Sequence, residues 1–291
     1  MSLVNQILRG VFDLLLFPFR TMPAIIGILV VSLLTAIGML VAFKATSNQE
    51  ALAEVKRKIH AGLFEIRLFN DDFRAIVRAQ LDILRHNLSY LRLSLVPMIF
   101  ILPPLVLVVA QLQFHYGYQG LQPGDDSILE LRLTEGWEET EQVPRAPESG
   151  KPLVELELPP GVRQATPSVW IPDDRTLSWR LEIEEAGDHV IGIRVGDRRL
   201  DKAAPGRGPI ERRSPVRPAR SFLDQLIYPA EPPLPEESPV EEIRLTLEPA
   251  AVWLPGWTVP EMMGVPAWMI LFFALSVVFA FALRKPMGVE I

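Results

Sequence analysis

Cysteine is absent from the 291 residues. That excludes disulfide staples, thiolate nucleophiles and thiolate metal sites together, and leaves the compartment open. Histidine is almost as scarce: His60, His86, His115 and His189 stand in different segments and offer no metal-ligand spacing. No G-x-x-x-x-G-K-[ST], G-x-S-x-G or H-E-x-x-H motif occurs, and Gly206 and Gly208 make only a G-x-G inside a proline-rich loop. A basic excess is lacking too. The chain has 29 Lys and Arg against 35 Asp and Glu, whereas binding a phosphate backbone needs a concentrated basic face. These absences point away from an enzyme, a resident cofactor or metal, a nucleic-acid partner and a small-molecule substrate.

What the chain does have is long apolar runs. Residues 21–43, 93–114 and 262–283 are free of charge over 23, 22 and 22 residues, and the mean hydropathy is +0.21. About 20 apolar residues at 1.5 Å rise cross a hydrocarbon core of ~30 Å, so the lipid bilayer is the expected partner of three helices. The first run is too long for a signal-peptide core and no small-residue cleavage pattern follows it, so it is read as a retained span over 21–44. Ahead of it, Leu3, Val4, Ile7, Leu8, Val11, Leu14 and Leu15 recur at helical spacing, with Asn5, Gln6, Arg9 and Asp13 on the other side. Residues 1–20 are therefore expected to form an interfacial amphipathic helix ended by Pro18, the alternative being a poorly ordered apolar leader.

Lys and Arg near the span ends set the orientation. Lys44, Lys56, Arg57 and Lys58 follow the first span against Arg9 and Arg20 before it. Arg74, Arg78, Arg85 and Arg92 precede the second against Arg132 beyond it, and Arg284 and Lys285 follow the third. The expected topology is multi-pass in a cell inner (cytoplasmic) membrane. The N-terminus and residues 115–261 lie outside, and residues 45–92 and the tail 284–291 lie in the cytoplasm. Residues 45–92 carry 8 basic and 6 acidic side chains, and 115–261 carry 16 and 27, so the mild net acidity hides an asymmetry across the bilayer.

Residues 45–92 hold no proline and only Gly62. Ser47-Asn48-Gln49-Glu50 has the capping-box pattern, Leu52, Val55, Ile59 and Ile66 make one stripe, and Asn70-Asp71-Asp72 marks a turn. After it Ile76/Val77, Leu81, Leu84, Leu88 and Leu91 alternate steps of four and three, a coiled-coil seam. The expectation is an antiparallel helical hairpin with this seam between its arms. Lys56, Arg57, Lys58, Arg74 and Arg78 are candidate contacts to a partner or, read blandly, a solvated face offset by nearby acids.

The second span, 93–114, contains Pro97, Pro103 and Pro104, which predict a kink packed against protein on that side. Ser32 and Thr35 in the first span and Gln111 and Gln113 in the second either line a polar groove or serve ordinary small-polar helix packing.

Of 27 prolines, 20 lie between Gly120 and Glu261. Alternation over 127–134 and 153–158, a one-sided row of Leu177, Trp179, Leu181 and Ile183, a hairpin turn at 185–188 leading into 189–195, and Ile243, Leu245 and Leu247 predict short strands. The fold class is thus membrane α-helical, with three transmembrane helices and a cytoplasmic helical hairpin. It carries an inserted extracytoplasmic all-β domain, an immunoglobulin-like sandwich over 120–258. The stretch 202–220, with Arg207, Arg212, Arg213, Arg217 and Arg220, is either an anion-binding patch or a solvated loop. Residues 221–228 suit a short helix, and Trp253, Trp257 and Trp268 suit an interfacial belt.

An amphipathic helix, an outside-to-inside span, a two-helix hairpin between Lys44 and Arg92 and a returning proline-bearing span together resemble the core of the YidC/Oxa/Alb superfamily of membrane-protein insertases. The likeness is to its minimal three-span branch, which includes archaeal YidC-like proteins and a subunit of the endoplasmic-reticulum membrane complex. It covers residues 1–114 and the third span. It implies a groove open to cytoplasm and lipid for a client helix, with the hairpin meeting ribosome or client. This chain departs in having no Arg or Lys deep in a span and in its inserted domain. Two functions follow as expectations: assisted insertion or folding of membrane-protein clients, or a structural, scaffolding subunit of a membrane complex whose β-domain and hairpin bind partner proteins.

Overall fold

A computed structural model describes residues 3–69, 71–137, 143–146, 150–218, 221–235, 238–254, 257–259, 261–262 and 264–290. The chain divides into two units, one of residues 1–27 and 109–269 and the other of residues 28–108 and 270–291. Two helices, α2 (Ala24–Thr46) and α4 (Phe73–Tyr116), are long and apolar enough to cross a membrane. The third apolar run forms α6 (Ala267–Leu283). Its 17 residues rise about 25 Å, short of a ~30 Å hydrocarbon core.

In the second unit, α3 (Gln49–Leu68) follows α2 after a two-residue break. Asn48 caps it, its side chain accepting from the Ala51 N–H at 3.0 Å, so the cap falls one residue after the Ser47 that the capping-box pattern suggests. Asp72 caps α4 by accepting from the Arg74 and Ala75 N–H groups. Asn70, expected to end the first arm, lies outside the described residues.

The coiled-coil seam is not where the heptad spacing puts it. Leu81, Leu84, Leu88 and Leu91 are exposed, Leu81 at 61% and Leu88 at 68%. The arms instead meet through small residues: Ala79 is buried, and Gly62 lies so close to Ile83 that a Cβ there would press on its side chain. Large leucines hold helix axes apart and Gly/Ala let them approach, so the small-residue face takes the inner position. Pro97, Pro103 and Pro104 lie inside an unbroken α4. Pro97 is buried as expected, whereas Pro103 and Pro104 are exposed, against the expectation of protein packing around them.

The first unit opens with α1 (Leu3–Leu16), which stops before a 3₁₀ turn, Phe17–Phe19, containing Pro18. Its β-region is an antiparallel, sandwich-like arrangement. One six-stranded sheet runs β3 (Val162–Gln164), β5 (Thr176–Ile183), β1 (Asp126–Leu133), β9 (Val240–Leu245), β8 (Val216–Arg217), with β4 (Val169–Ile171) also on β5. A second of three strands runs β2 (Val154–Glu157), β6 (His189–Val195), β7 (Arg198–Ala204), and a two-stranded hairpin joins β10 (Val252–Leu254) to β11 (Trp257–Val259).

The one-sided row Leu177, Trp179, Leu181, Ile183 is buried as its alternation predicts, and packs with Leu129, Leu131, Ile191, Ile193 and Leu245 in one core. The turn at 185–188 is a correction. It does not close a hairpin, because β5 belongs to the first sheet and β6 to the second, so this segment crosses between sheets. The hairpin is β6–β7, closed by Gly196-Asp197 with Gly196 at φ +57°.

Residues 221–228 form the expected short helix, α5 (Phe222–Ile227), capped by Ser221. Trp268 departs from the belt assignment. It is fully buried and its Nε1 donates to Gln113 Oε1 at 3.1 Å. The side chains of Trp253 and Trp257 lie outside the described residues.

Candidate functional site

Among the described residues no group of three His, Asp or Glu converges as a metal site. The described features that organise chemistry are a buried ionic network under α1, an arginine-lined loop and an exposed track along α4.

The polar face of α1 turns inward, which reverses the usual reading of an amphipathic helix on a soluble domain. Asn5 is buried, while Ile7, Val11 and Leu14 are exposed. Asp13 is the anchor. One of its oxygens accepts from Arg212 Nη2 at 2.8 Å and lies 3.3 Å from His115 Nε2. Arg212, its side chain 7% exposed, also donates through Nη1 to Gln111 Oε1 at 2.7 Å, and His115 Nδ1 sits 2.9 Å from the Gln111 carbonyl. The hydrogen bonds to His115 and Arg212 hold the Asp13 carboxyl well below the usual carboxylate range, against the opposing effect of partial burial. With Asn5 and Asp13 turned to protein, α1 presents Ile7, Val11 and Leu14 outward beside the exposed Gln6, while Phe12 and Leu16 are buried; an apolar outer face of this kind suits a helix at a bilayer interface.

The four groove candidates divide between the two units. Ser32 is buried and donates to the Phe272 carbonyl at 3.2 Å, bridging α2 to α6, and Thr35 is half-buried. Gln111 and Gln113 belong to the other unit, where they serve Arg212 and Trp268. Three of the four thus have specific protein partners, the pattern of polar helix packing.

The candidate contact residues on the hairpin divide. Lys56 pairs with Glu290 at 3.2 Å and lies over the Tyr90 ring, and Lys58 pairs with Glu54 at 2.7 Å. Arg57, Arg74 and Arg78 are exposed. Their neighbours matter more than sequence reasoning foresaw. The row Leu81, Leu84, Leu88, Leu91 continues at the same spacing through Leu95, Met98 and Leu102, all exposed. Arg78, Arg85 and Arg92, one heptad apart and exposed, run along its flank. One helix face therefore carries an uninterrupted apolar track from the hairpin into the apolar run. The signal was the alternation of three and four; only the assumption that α3 covers it was mistaken.

The loop 205–213 is held by backbone hydrogen bonds, although Arg207, Gly208, Pro209 and Glu211 on it are exposed. Pro205 accepts from the Leu121 N–H, the Arg207 N–H donates to Leu121, the Ile210 N–H donates to the Arg20 carbonyl and the Arg213 N–H donates to the Phe114 carbonyl. Gly120, Gly206 and Gly187 stack so closely that a Cβ on Gly206 would collide with the Gly187 carbonyl, and one on Gly120 with the Gly206 carbonyl. Gly206→Ala is expected to destabilise the protein by about 1–3 kcal/mol through this backbone clash, measured as a lowered midpoint in thermal unfolding. Of the arginine run, Arg220 lies outside the described residues.

No protein-family model, curated protein or solved structure matches this chain.

Proposed function

We propose that this chain is an integral membrane protein that receives apolar helices of other membrane proteins and assists their insertion or folding, without covalent chemistry. In this reading α6 is a third, short span, the hairpin is cytoplasmic, and the sandwich, of immunoglobulin type, is extracytoplasmic. The resemblance to YidC/Oxa/Alb insertases in the order of amphipathic helix, span, hairpin and span supports it.

One observation carries the proposal: the exposed heptad track Leu81 to Leu102 on a single face of α4. The hairpin part of the row, Leu81 to Leu91, would stand in water in this reading, which is unfavourable at ~25 cal/mol per Å² unless something apolar covers it. A track that passes without a break into a membrane-length apolar run suits an occupant travelling between those environments. The flanking Arg78, Arg85 and Arg92 suit acidic residues or lipid phosphates beside that occupant.

A photo-crosslinking amino acid at Leu84 or Leu88 tests this during translation of membrane proteins in a membrane extract. Adducts to several nascent membrane proteins are expected, and a single stoichiometric, stably co-purifying adduct would instead establish the scaffolding subunit. Leu84→Asp/Leu88→Asp is expected to leave stability within ~0.5 kcal/mol, since both side chains are exposed, while reducing client adducts several-fold. Unchanged adduct yield in that variant counts against the track.

A further inference from the structure

Under the loop 205–213 lies a cavity of about 330 Å³, lined by Arg207, Arg212 and Arg213, by Asp188 and Glu211, and by His189. Two of these five charges are already matched by ion pairs. Arg212 is held by Asp13, and Glu211 lies 3.4 Å from Arg20. Asp188 accepts from the Gly206 N–H at 2.8 Å. Arg207 donates to the side-chain oxygens of Gln119 and Gln122, which carry no charge.

Arg213 is the most deeply buried of the three charges left without an ion pair. It is 8% exposed, makes no ion pair among the described residues, and spends its Nη2 on the carbonyls of Gly208 and Pro209. Its Nε–H is buried without a hydrogen-bond partner, as is that of Arg212. Burial pulls the Arg213 guanidinium down from its ordinary value, opposed by Asp188 and Glu211, which lie near without pairing. A buried guanidinium with no ion pair and an unpartnered Nε–H is incompletely satisfied, and arginine's fork is shaped for two oxygens of one anion.

After the pairs are removed, two guanidiniums (Arg207, Arg213) and one carboxylate (Asp188) remain, a net charge of one positive unit. We propose that this cavity binds a singly charged phosphate oxyanion, a phosphodiester in particular, through Arg213 with Arg207 as the second cation. The charge matches a diester, and the volume leaves room for an ester substituent beyond the phosphate itself. The loop hangs on the Arg20 and Phe114 carbonyls, residues at the ends of the apolar runs 21–43 and 93–114. If those runs cross a bilayer, this is the headgroup level. The source of the phosphate is thus either a phospholipid headgroup or a free phosphate compound.

The test uses the full-length protein in maltoside micelles and phosphate-free buffer, with three probes: inorganic phosphate, glycerophosphoglycerol, and micelles doped with phosphatidylglycerol. The unfolding temperature and titration calorimetry are read for each. At least one probe is expected to raise the unfolding temperature by several degrees at saturation. A response to either soluble probe assigns a free-anion source, and a response to the doped micelles alone assigns the headgroup. Arg213→Gln is expected to weaken binding at least tenfold. Val190→Trp, which fills the cavity from an exposed position and keeps every arginine, is expected to do the same and guards against misfolding of the first variant. Arg180→Gln, an exposed arginine outside the cavity, should bind as wild type. A wild-type protein that responds to none of the probes, or an Arg213→Gln variant that binds as tightly, overturns the proposal.

Discussion

Glu231→Gln is expected to lower the unfolding temperature of the full-length protein by roughly 10 °C, a loss of about 3–5 kcal/mol. The reason is Lys202, whose side chain is wholly buried beneath β7, where its Nζ donates to Glu231 and to the Ser214 carbonyl at 2.8 Å. Burial pushes the Lys202 ammonium down from its ordinary value and Glu231 opposes that shift. Removing the carboxylate leaves a buried ammonium with backbone carbonyls and the like charge of Arg217 around it. Lys202→Met should cost less, because Glu231 retains some access to water, and the double variant Lys202→Met/Glu231→Gln should recover much of the loss. Thermal unfolding of the four proteins checks this. Additive losses would mean the pair is not energetically coupled.

The Asp13–Arg212 pair predicts the second large effect, with a characteristic asymmetry. Asp13→Ala strands a guanidinium that is 7% exposed and should cost about 3 kcal/mol. Arg212→Met leaves a carboxylate that water reaches, and should cost roughly 1 kcal/mol. The pH dependence follows from the depressed Asp13 value. A carboxyl held below its unfolded value of ~3.9 contributes stability that is fully present above that pH and is lost as pH falls toward its folded value. Wild type should therefore lose stability below about pH 4 more steeply than Arg212→Met. Unfolding temperatures between pH 3 and 7 measure this, and parallel curves for the two proteins would contradict the assignment.

Both pairs were invisible in the sequence for the same reason. Asp13 and Arg212 are 199 positions apart in the chain and Lys202 and Glu231 are 29 apart, so no periodicity links them. Charged residues on a helix also read by default as its wet face. Asp13, with Asn5 and Arg9, suggested a solvated side of α1. The fold instead supplies Arg212 and His115 to that side and leaves Ile7, Val11 and Leu14 uncovered. The heptad of α4 misled in the opposite sense. Its spacing identifies an apolar face correctly but does not say which neighbour covers it, and Gly62 and Ala79 bring α3 in on another side.

Local rules worked where the decisive interaction is local or strictly periodic. Asp72 and Ser221 cap as their side-chain chemistry requires, and α1 stops just ahead of Pro18. The period-two rows of β1 and β5 also bury the residues they should. The turn at 185–188 shows the limit. Its residues permit reversal equally for a hairpin and for a crossing between sheets, and only the partners of β5 and β6 distinguish them.

By itself the sequence determined the two membrane-length helices, the helical character of 45–92, the β character of the proline-rich segment and the absence of cysteine chemistry. These depend on composition, length and short-range period. The tertiary structure alone decided which face of α1 is buried, that the leucine row of α4 stands uncovered, and that Arg213 is enclosed without an ion pair. Those outcomes are set by side chains brought together from distant positions, and charge matching and close packing act across space, not along the chain.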